Sequence, residues 1–181
     1  MEPTYNVQTI RAIIGLGNPG SKYAKNRHNI GFRVVDELVA AQSGNWQTAD
    51  NMVYAVLRLV GANQDMYVIK PQTYMNDSGR VLPWLAKKGI KADQILVVHD
   101  ELEKKFGQVL LKFGGSHKGH NGLKSLIGMI GADFWRLKFG IDRPADREEV
   151  PNYVLANFPG TEEAQISSLI DQAARLILAT N

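Results

Sequence analysis

One stretch, Ala12-Ile-Ile-Gly15-Leu-Gly-Asn-Pro-Gly20, joins a strand-like apolar run to glycines with the spacing of a dinucleotide-binding fingerprint. That fingerprint needs backbone amides turned toward a pyrophosphate, and Pro19 has no amide to offer. It also needs an acidic residue at the end of a second strand about 20 positions later. Asp36 and Glu37 stand at that distance, but apolar residues at helical spacing surround them. The stretch therefore predicts a strand ending in a tight polar turn, and it disfavours nucleotide binding.

The composition predicts one soluble domain. The chain has 181 residues, 44% of them hydrophobic, which is enough for one core and too little for two ordinary domains. We expect a single domain over residues 1–181, with residues 1–10 as a short N-terminal extension. The apolar runs are much shorter than a membrane span, and no secretory signal is present at the amino end, so we expect a cytoplasmic protein.

The charge and the cysteine count restrict the kinds of site and partner that this protein can have. The chain contains no cysteine, which excludes disulfides, thiolate metal sites and a cysteine nucleophile. Its net charge is +3 and its isoelectric point is about 9.1, a value at which a nucleic-acid partner is worth testing. An ordinary soluble surface is also compatible with this charge.

Apolar runs of strand length alternate with amphipathic runs of helix length, which predicts an α/β domain. The predicted strands lie near residues 11–16, 52–60, 66–70, 95–99, 109–113 and 135–141, with a hairpin turn at 61–65. The predicted helices cover residues 29–42, 78–88, 123–130 and 162–179. Pro83 favours a later start for the second helix, because proline is tolerated only in the first helical turn. Residues 144–150 are predicted to form an exposed, charged loop.

Unusual polar residues follow several predicted strands, where ligands of α/β sheets usually bind. A neutral imidazole at His28 can take a proton from water near pH 7. Asp100, at a strand end, can orient this ring and stabilise its charged form, whereas His99 is expected to point the opposite way into packing. Three asparagines, Asn18, Asn76 and Asn121, carry amides suited to holding carbonyls or an oxyanion, although each alone is more often a turn residue.

Other hydrolytic chemistries are less well supported. His117 and His120 form an H-x-x-H pair that, with Asp100, offers three metal ligands, but the surrounding glycine-rich segment lacks a second carboxylate pattern. Ser116 lies in an incomplete G-x-S-x-G motif, because Lys118 replaces the last glycine. Direct attack by water therefore fits better than a serine nucleophile.

Two basic clusters accompany the glycine-rich segment at residues 114–122. The first consists of Lys112, Lys118 and Lys124, and the second of Arg136, Lys138 and Arg143. The glycines let backbone approach a ligand closely, so a polyanion can lie across this segment. Alternating basic residues on a strand are also typical of a solvated sheet face.

Five segments in this order closely resemble the bacterial-type peptidyl-tRNA hydrolase family. They are Gly15-Leu-Gly-Asn-Pro-Gly20, Arg27-His-Asn29, Lys70-Pro-Gln-Thr-Tyr-Met-Asn76, His99-Asp-Glu-Leu102 and Gly119-His-Asn-Gly-Leu-Lys124. The resemblance runs from about Arg11 to the C-terminal helix. It implies a monomeric, single-domain, three-layer α/β/α fold with a twisted, mixed, largely parallel central sheet. It further implies hydrolysis of the ester that joins a nascent peptide to the 3′ ribose of tRNA, without a metal or cofactor.

The resemblance also implies roles for individual residues. His28 matches the catalytic histidine and Asp100 the acid that orients it. Asn18, Asn76 and Asn121 match asparagines that position peptide, water or the tRNA end, whereas Tyr23 and Met75 match pocket-lining positions. Lys112 and Arg136 match basic positions associated with tRNA contact. The implied partner is peptidyl-tRNA, with no membrane and no obligate protein partner.

Two departures from the family pattern concern loops. Residues Glu103-Lys-Lys-Phe-Gly107 replace a proline-containing turn, so this loop is expected to have a different shape. Lys118 stands where relatives commonly have glycine, and Leu110 stands where some are basic, so Lys118 is expected to replace charge missing at Leu110. The main alternative is a non-catalytic RNA-binding protein, because the family includes a plant organellar intron-splicing factor.

Overall fold

A seven-stranded sheet organises the molecule. The computed structural model describes residues 3–60 and 63–179. The strands are β1 (Ala12–Gly15), β2 (Gln47–Ala49), β3 (Met52–Leu57), β4 (Met66–Pro71), β5 (Ile95–Glu101), β6 (Val109–Phe113) and β7 (Trp135–Gly140). Their order across the sheet is β2-β3-β4-β1-β5-β7-β6. The α-helices are α1 (Ile30–Ala41), α2 (Leu82–Lys87), α3 (Asn121–Ile130), α4 (Val150–Leu155) and α5 (Gly160–Leu178).

The four central strands β4, β1, β5 and β7 are parallel, and the pairs toward both edges are antiparallel. The predicted mixed α/β sheet is thereby confirmed. Because β1, β4 and β5 are parallel, the segments that follow them emerge at one edge of the sheet. That edge, the carboxyl edge, receives the polar segments after Gly15 and Pro71 together with the end of β5.

Two apolar cores, one on each face of the sheet, give the molecule its three layers. Side chains alternate along β1, so that Ile13 joins one core and Ile14 the other. Helices α1 and α5 cover the first face, and α2 and α3 cover the second. The expected N-terminal extension contributes to the first core, because Tyr5 is buried and donates a 2.8 Å hydrogen bond to the carbonyl of Ile177.

Several element boundaries differ from the sequence prediction. Strand β2 was not predicted, because its short, mostly exposed residues show no apolar alternation. The predicted helix at 78–88 is a 3₁₀ segment, Met75–Val81, followed by α2 with Pro83 in its first turn, as proline requires. The predicted loop at 144–150 contains the 3₁₀ turn Arg147–Glu149 and leads directly into α4, a helix that was not predicted because its six residues are too few to show a helical apolar pattern.

Strands β3 and β4 pair antiparallel from Met52 opposite Pro71 to Leu57 opposite Met66, which confirms the predicted hairpin. Residues 61–62 of its expected turn lie outside the described residues. Among the helices of residues 3–60 and 63–179, none has the length and apolar character needed to cross a membrane.

The glycine-rich segment after β6 follows a different path from the predicted one. The sequence suggested that this segment emerges beside the other polar strand ends. Because β6 is antiparallel to β7, Phe113 lies opposite Trp135, the first residue of β7, at the other edge of the sheet. Residues 114–120, the crossing loop, therefore traverse the sheet face to bring His120 back to Asp100.

Close packing between α1 and the sheet depends on Gly31. A Cβ at this position would lie only 2.6 Å from the backbone N and O of Leu16, which cannot move aside without disturbing β1. We expect Gly31→Ala to lower the free energy of unfolding by about 2 to 3 kcal/mol. Gly128→Ala is the matched control, because that helical glycine has open space around it and alanine should stabilise by about 0.5 to 1 kcal/mol. Urea denaturation measures both, and equal effects would contradict the packing argument.

Candidate active site

His28 and Asp100 meet at the carboxyl edge of the sheet. His28 lies in a short 3₁₀ turn, Arg27–Asn29, directly before α1, and Asp100 is the penultimate residue of β5. The His28 Nδ1 atom is 2.9 and 3.0 Å from the two carboxylate oxygens of Asp100. Both residues are buried, with 8% and 2% of their surfaces exposed. The contact expected from the sequence is therefore present.

A second histidine, His120, contacts the same carboxylate. Its Nε2 atom is 2.9 Å from Asp100 Oδ1, while its Nδ1 accepts hydrogen bonds from the amides of Gly122 and Leu123 at the start of α3. Because Nδ1 accepts, the neutral ring carries its proton on Nε2 and donates it to Asp100. Sequence reasoning considered His120 only as a metal ligand, since its capping role depends on the path of the crossing loop.

The electrostatics keep Asp100 ionised. Burial alone raises the pKa of Asp100, but the adjacent His28 and His120 outweigh it and hold this pKa well below its usual range. Burial alone lowers the pKa of His28, but the charge and hydrogen bond of Asp100 outweigh burial and raise it. With Nδ1–H donated to Asp100, neutral His28 carries a free lone pair on Nε2.

His99 is buried, as expected, but it also lines the cleft that His28 and Asp100 line. Its Nδ1 donates a 2.7 Å hydrogen bond to the carbonyl of Asp100, and its ring meets that of His120 edge-on at 5.3 Å. Burial, followed by the neighbouring His120, lowers the pKa of His99 to about 3. His99 is therefore neutral over the physiological range and supports the ring of His120.

The possible metal ligands differ from the predicted set. His28, Asp100 and His120 place their ligand atoms within 4.8 Å of one another. His117 is not a member of this cluster, and its Nδ1 accepts a 3.0 Å hydrogen bond from the amide of Gly119. A metal would need the lone pair of His120 Nε2, which is protonated while Nδ1 caps α3. The donor set therefore suits hydrogen bonding better than metal coordination.

Two neighbours of His28 anchor its turn to distant parts of the chain. The Asn29 side chain accepts from the amide of Asn18 and donates to its carbonyl, both at 2.9 Å. The buried Arg27 guanidinium donates to the carbonyl of Asn157 at 3.0 Å and lies over the Tyr153 ring at 4.1 Å. Sequence reasoning quoted Arg27 and Asn29 within a motif but assigned them no role.

The buried Asn18 amide has a defined orientation. Its Oδ1 accepts a 2.8 Å hydrogen bond from the amide of Met75, which fixes the oxygen and nitrogen assignment. Within residues 3–60 and 63–179, no hydrogen bond engages the Asn18 Nδ2 group. Asn18 can therefore offer two N–H donors to a ligand while its oxygen remains fixed.

The three asparagines do not converge on a single cavity. Asn121, in the first turn of α3, is exposed and lines the cleft that contains His28. Asn18 lines a separate, smaller cleft of about 320 Å³. Asn76 is exposed on the 3₁₀ segment that packs along α3, where the amide of Gly79 donates to Ser125 Oγ at 2.9 Å.

The cleft beside His28 has a volume of about 630 Å³. Its walls come from the end of β5, the crossing loop with Lys118, the start of α3, and Val150 to Val154 of α4. Tyr23 and Met75, which were expected to line a pocket, contribute to neither of these two clefts. Tyr23 is half-buried beneath Lys22, whose Nζ is 4.7 Å from its ring centroid, and Met75 is buried.

The basic residues expected to contact tRNA fall into two groups. Lys112 and Lys118 are exposed. Arg136, in contrast, is only 1% exposed, and its guanidinium donates to the carbonyls of Gly115 and Ser116. In this structure the crossing loop, rather than solvent, therefore surrounds the Arg136 guanidinium, and a phosphate contact through Arg136 stays a prediction. The alternation of Arg136 and Lys138 along β7 is typical of a solvated sheet face, so the sequence did not indicate that the crossing loop covers Arg136.

Comparison with known proteins shows the family of this chain. Residues 12–180 match the sequence profile of peptidyl-tRNA hydrolase. The chain is 46% identical to the peptidyl-tRNA hydrolase of Methylobacillus flagellatus over 86% of its length and 81% of that protein. It is 43% identical to the Shewanella woodyi enzyme, covering 93% and 89%. The crystal structure of peptidyl-tRNA hydrolase from Acinetobacter baumannii superposes with a TM-score of 0.87 at 34% identity, covering 99% of both chains. The chain belongs to the peptidyl-tRNA hydrolase family.

Proposed function

We propose that this protein hydrolyses the ester bond between a nascent peptide and the 3′ ribose of tRNA. The observation that carries the proposal is the buried His28–Asp100 pair at the wall of a large cleft. The similar proteins named above are all hydrolases, so the alternative of a non-catalytic RNA-binding protein receives no support.

In this proposal His28 acts as the general base. Its Nε2 takes a proton from water, the water oxygen attacks the ester carbonyl, and the ribose oxygen leaves with a proton. Asp100 holds the ring through Nδ1 and stabilises the imidazolium that forms during attack. Because Asp100 stays ionised, it can serve this role throughout the neutral pH range.

An amide side chain stabilises the oxyanion that develops on the ester carbonyl. Asn18 and Asn121 are both suited to this role, since backbone-fixed or helix-borne amide donors are preorganised for a developing negative charge. The fixed orientation of the Asn18 amide favours Asn18 as the oxyanion donor. The position of Asn121 in the cleft beside His28 favours Asn121 instead. Asparagine contacts to the additional peptide group provide selectivity for peptidyl over aminoacyl substrates.

The tRNA is held mainly through its phosphates and acceptor end. Lys112 and Lys118 supply exposed positive charge, and no base-specific recognition is needed for this chemistry. We also propose that the protein acts as a cytoplasmic monomer, with Tyr23, Met75 and Asn76 supporting the substrate-binding surface. Sedimentation at assay concentration measures its oligomeric state.

The proposal is tested by comparing peptidyl-tRNA with the matched aminoacyl-tRNA. We expect the protein to release free tRNA from the peptidyl substrate at a kcat/KM about 10- to 100-fold higher, the size expected for lost hydrogen bonds to the peptide group. Binding of peptidyl-tRNA without turnover would overturn the enzymatic assignment.

Lys112 provides a test of phosphate contact. Lys112→Ala removes one exposed charge, so we expect about 10-fold weaker tRNA binding and a decrease of about 1 in the slope of log affinity against log salt. Lys87→Ala is the matched control, because this exposed lysine lies at the end of α2, away from the cleft. Filter binding over a salt series measures both, and identical slopes for Lys112→Ala and wild type would contradict the contact.

A further inference from the structure

We propose that Arg136 is a positioning residue, which fixes the crossing loop and thereby holds His120 against Asp100. The expected effect of Arg136 on kcat rests on the proposed hydrolase function. Its expected effect on the position of His120 rests on the geometry alone. The inference replaces a surface role for Arg136 with a role inside the fold.

Arg136 occupies the point where the crossing loop begins its path. The Gly114 amide donates to the carbonyl of Phe134, and the Arg136 guanidinium donates to the next two carbonyls, those of Gly115 and Ser116. The guanidinium also lies over the Phe134 ring, with its central carbon 4.7 Å from the ring centroid. The planar, forked guanidinium can donate to two adjacent carbonyls at once, which an ammonium group does less well.

The loop has few other means of defining its shape. Gly114, Gly115, Lys118 and Gly119 all have positive φ angles between 46° and 108°, so the segment is rich in backbone freedom. The β5–β7 register places Val97 opposite Arg136 and Asp100 opposite Phe139, about 10 Å farther along the sheet. The loop must cover that distance accurately for His120 to reach Asp100.

The crossing loop ends at His120, and a change in its path affects the proposed catalysis through this residue. The His120 amide donates to the carbonyl of His117, and the His120 ring caps α3 while donating to Asp100. Releasing the loop at Gly115 and Ser116 removes one of the constraints that set the position of this ring. Asp100 then loses a hydrogen-bond donor, and its alignment with His28 becomes less well defined.

The experiment uses Arg136→Met and Arg136→Lys, with Lys112→Met as the matched comparison. Lys112 lies directly opposite Arg136 on β6, but it is exposed. We expect Arg136→Met to lower kcat about 10-fold while the tRNA dissociation constant and its salt slope change by less than 2-fold. Arg136→Lys keeps the charge with fewer donors and should fall between Arg136→Met and wild type. Lys112→Met should instead raise KM and lower the slope of log affinity against log salt, because it removes a phosphate contact.

A spectroscopic measurement on the free protein separates this inference from the proposed function. In wild type, the His120 Nε2–H proton should be detected by ¹H–¹⁵N NMR as a slowly exchanging, hydrogen-bonded proton, and it should be lost or broadened in Arg136→Met. If Arg136→Met does not fold, Arg136→Lys supplies the same comparison. An unchanged His120 signal, or a lowered salt slope with kcat preserved, would overturn the inference. Absence of hydrolysis in wild type would instead defeat the proposed function and leave the NMR result to decide the role of Arg136.

Discussion

His28→Ala is expected to reduce kcat for peptidyl-tRNA hydrolysis by about 10³-fold, within the range that a positioned general base contributes. The substitution removes the only lone pair that the Asp100-bound ring offers to water. It leaves the exposed Lys112 and Lys118 in place, so tRNA affinity should change by less than 3-fold. Single-turnover assays and filter binding on the same preparation measure the two quantities.

His117→Ala is the matched control for this experiment. It removes a histidine from the same cleft whose ring bonds to the amide of Gly119 and belongs to no cluster with Asp100. We expect it to cost less than 10-fold in kcat. If His28→Ala retained more than a tenth of wild-type kcat while remaining folded, His28 would not be the base.

Asp100→Asn is expected to reduce kcat by about 10³-fold while preserving the shape of the site. An asparagine amide can face His28 Nδ1 with an N–H, which favours the tautomer that has its proton on Nε2 and no lone pair for water. The neutral side chain also stabilises the imidazolium less. Retention of more than a tenth of wild-type kcat would show that the carboxylate does not set the tautomer.

The same variant has a characteristic pH profile. In wild type, Asp100 raises the His28 pKa, so kcat/KM should fall with decreasing pH through a midpoint above the ordinary histidine value. In Asp100→Asn, burial remains and lowers the pKa of His28. The acidic limb should therefore move to lower pH even as the plateau falls. A midpoint that moved upward, or did not move, would contradict the electrostatic account.

The contact between His28 and Asp100 was predictable from the sequence because the placement of both residues follows from simple rules. A parallel sheet collects its strand ends at one edge, so an imidazole after β1 and a carboxylate at the end of β5 are brought together. The family motifs identified the same residues. Helices α1, α3 and α5 and most strands were predictable for a related reason, since their apolar periodicity indicates which side chains are buried.

The parts that could not be predicted depend on long-range geometry. His120 acquires its role only because the crossing loop returns over the sheet, and this path follows from the antiparallel direction of β6. The burial of Arg136 could not be predicted either. A basic residue in an alternating strand pattern gives the same sequence signal whether water or a loop covers its side chain. Strand β2 has no apolar periodicity and forms by pairing with β3.

The anchoring of the His28 turn also bears on how this protein is made. Asn26 donates to the side chain of Asn157 at 2.9 Å, and the amide of Arg27 donates to the carbonyl of Ala156, contacts that join positions about 130 residues apart. A nascent chain that has not yet exposed this C-terminal segment outside the ribosome lacks these contacts. The turn that carries His28 is therefore complete only once the segment at Ala156 and Asn157 can pack against it.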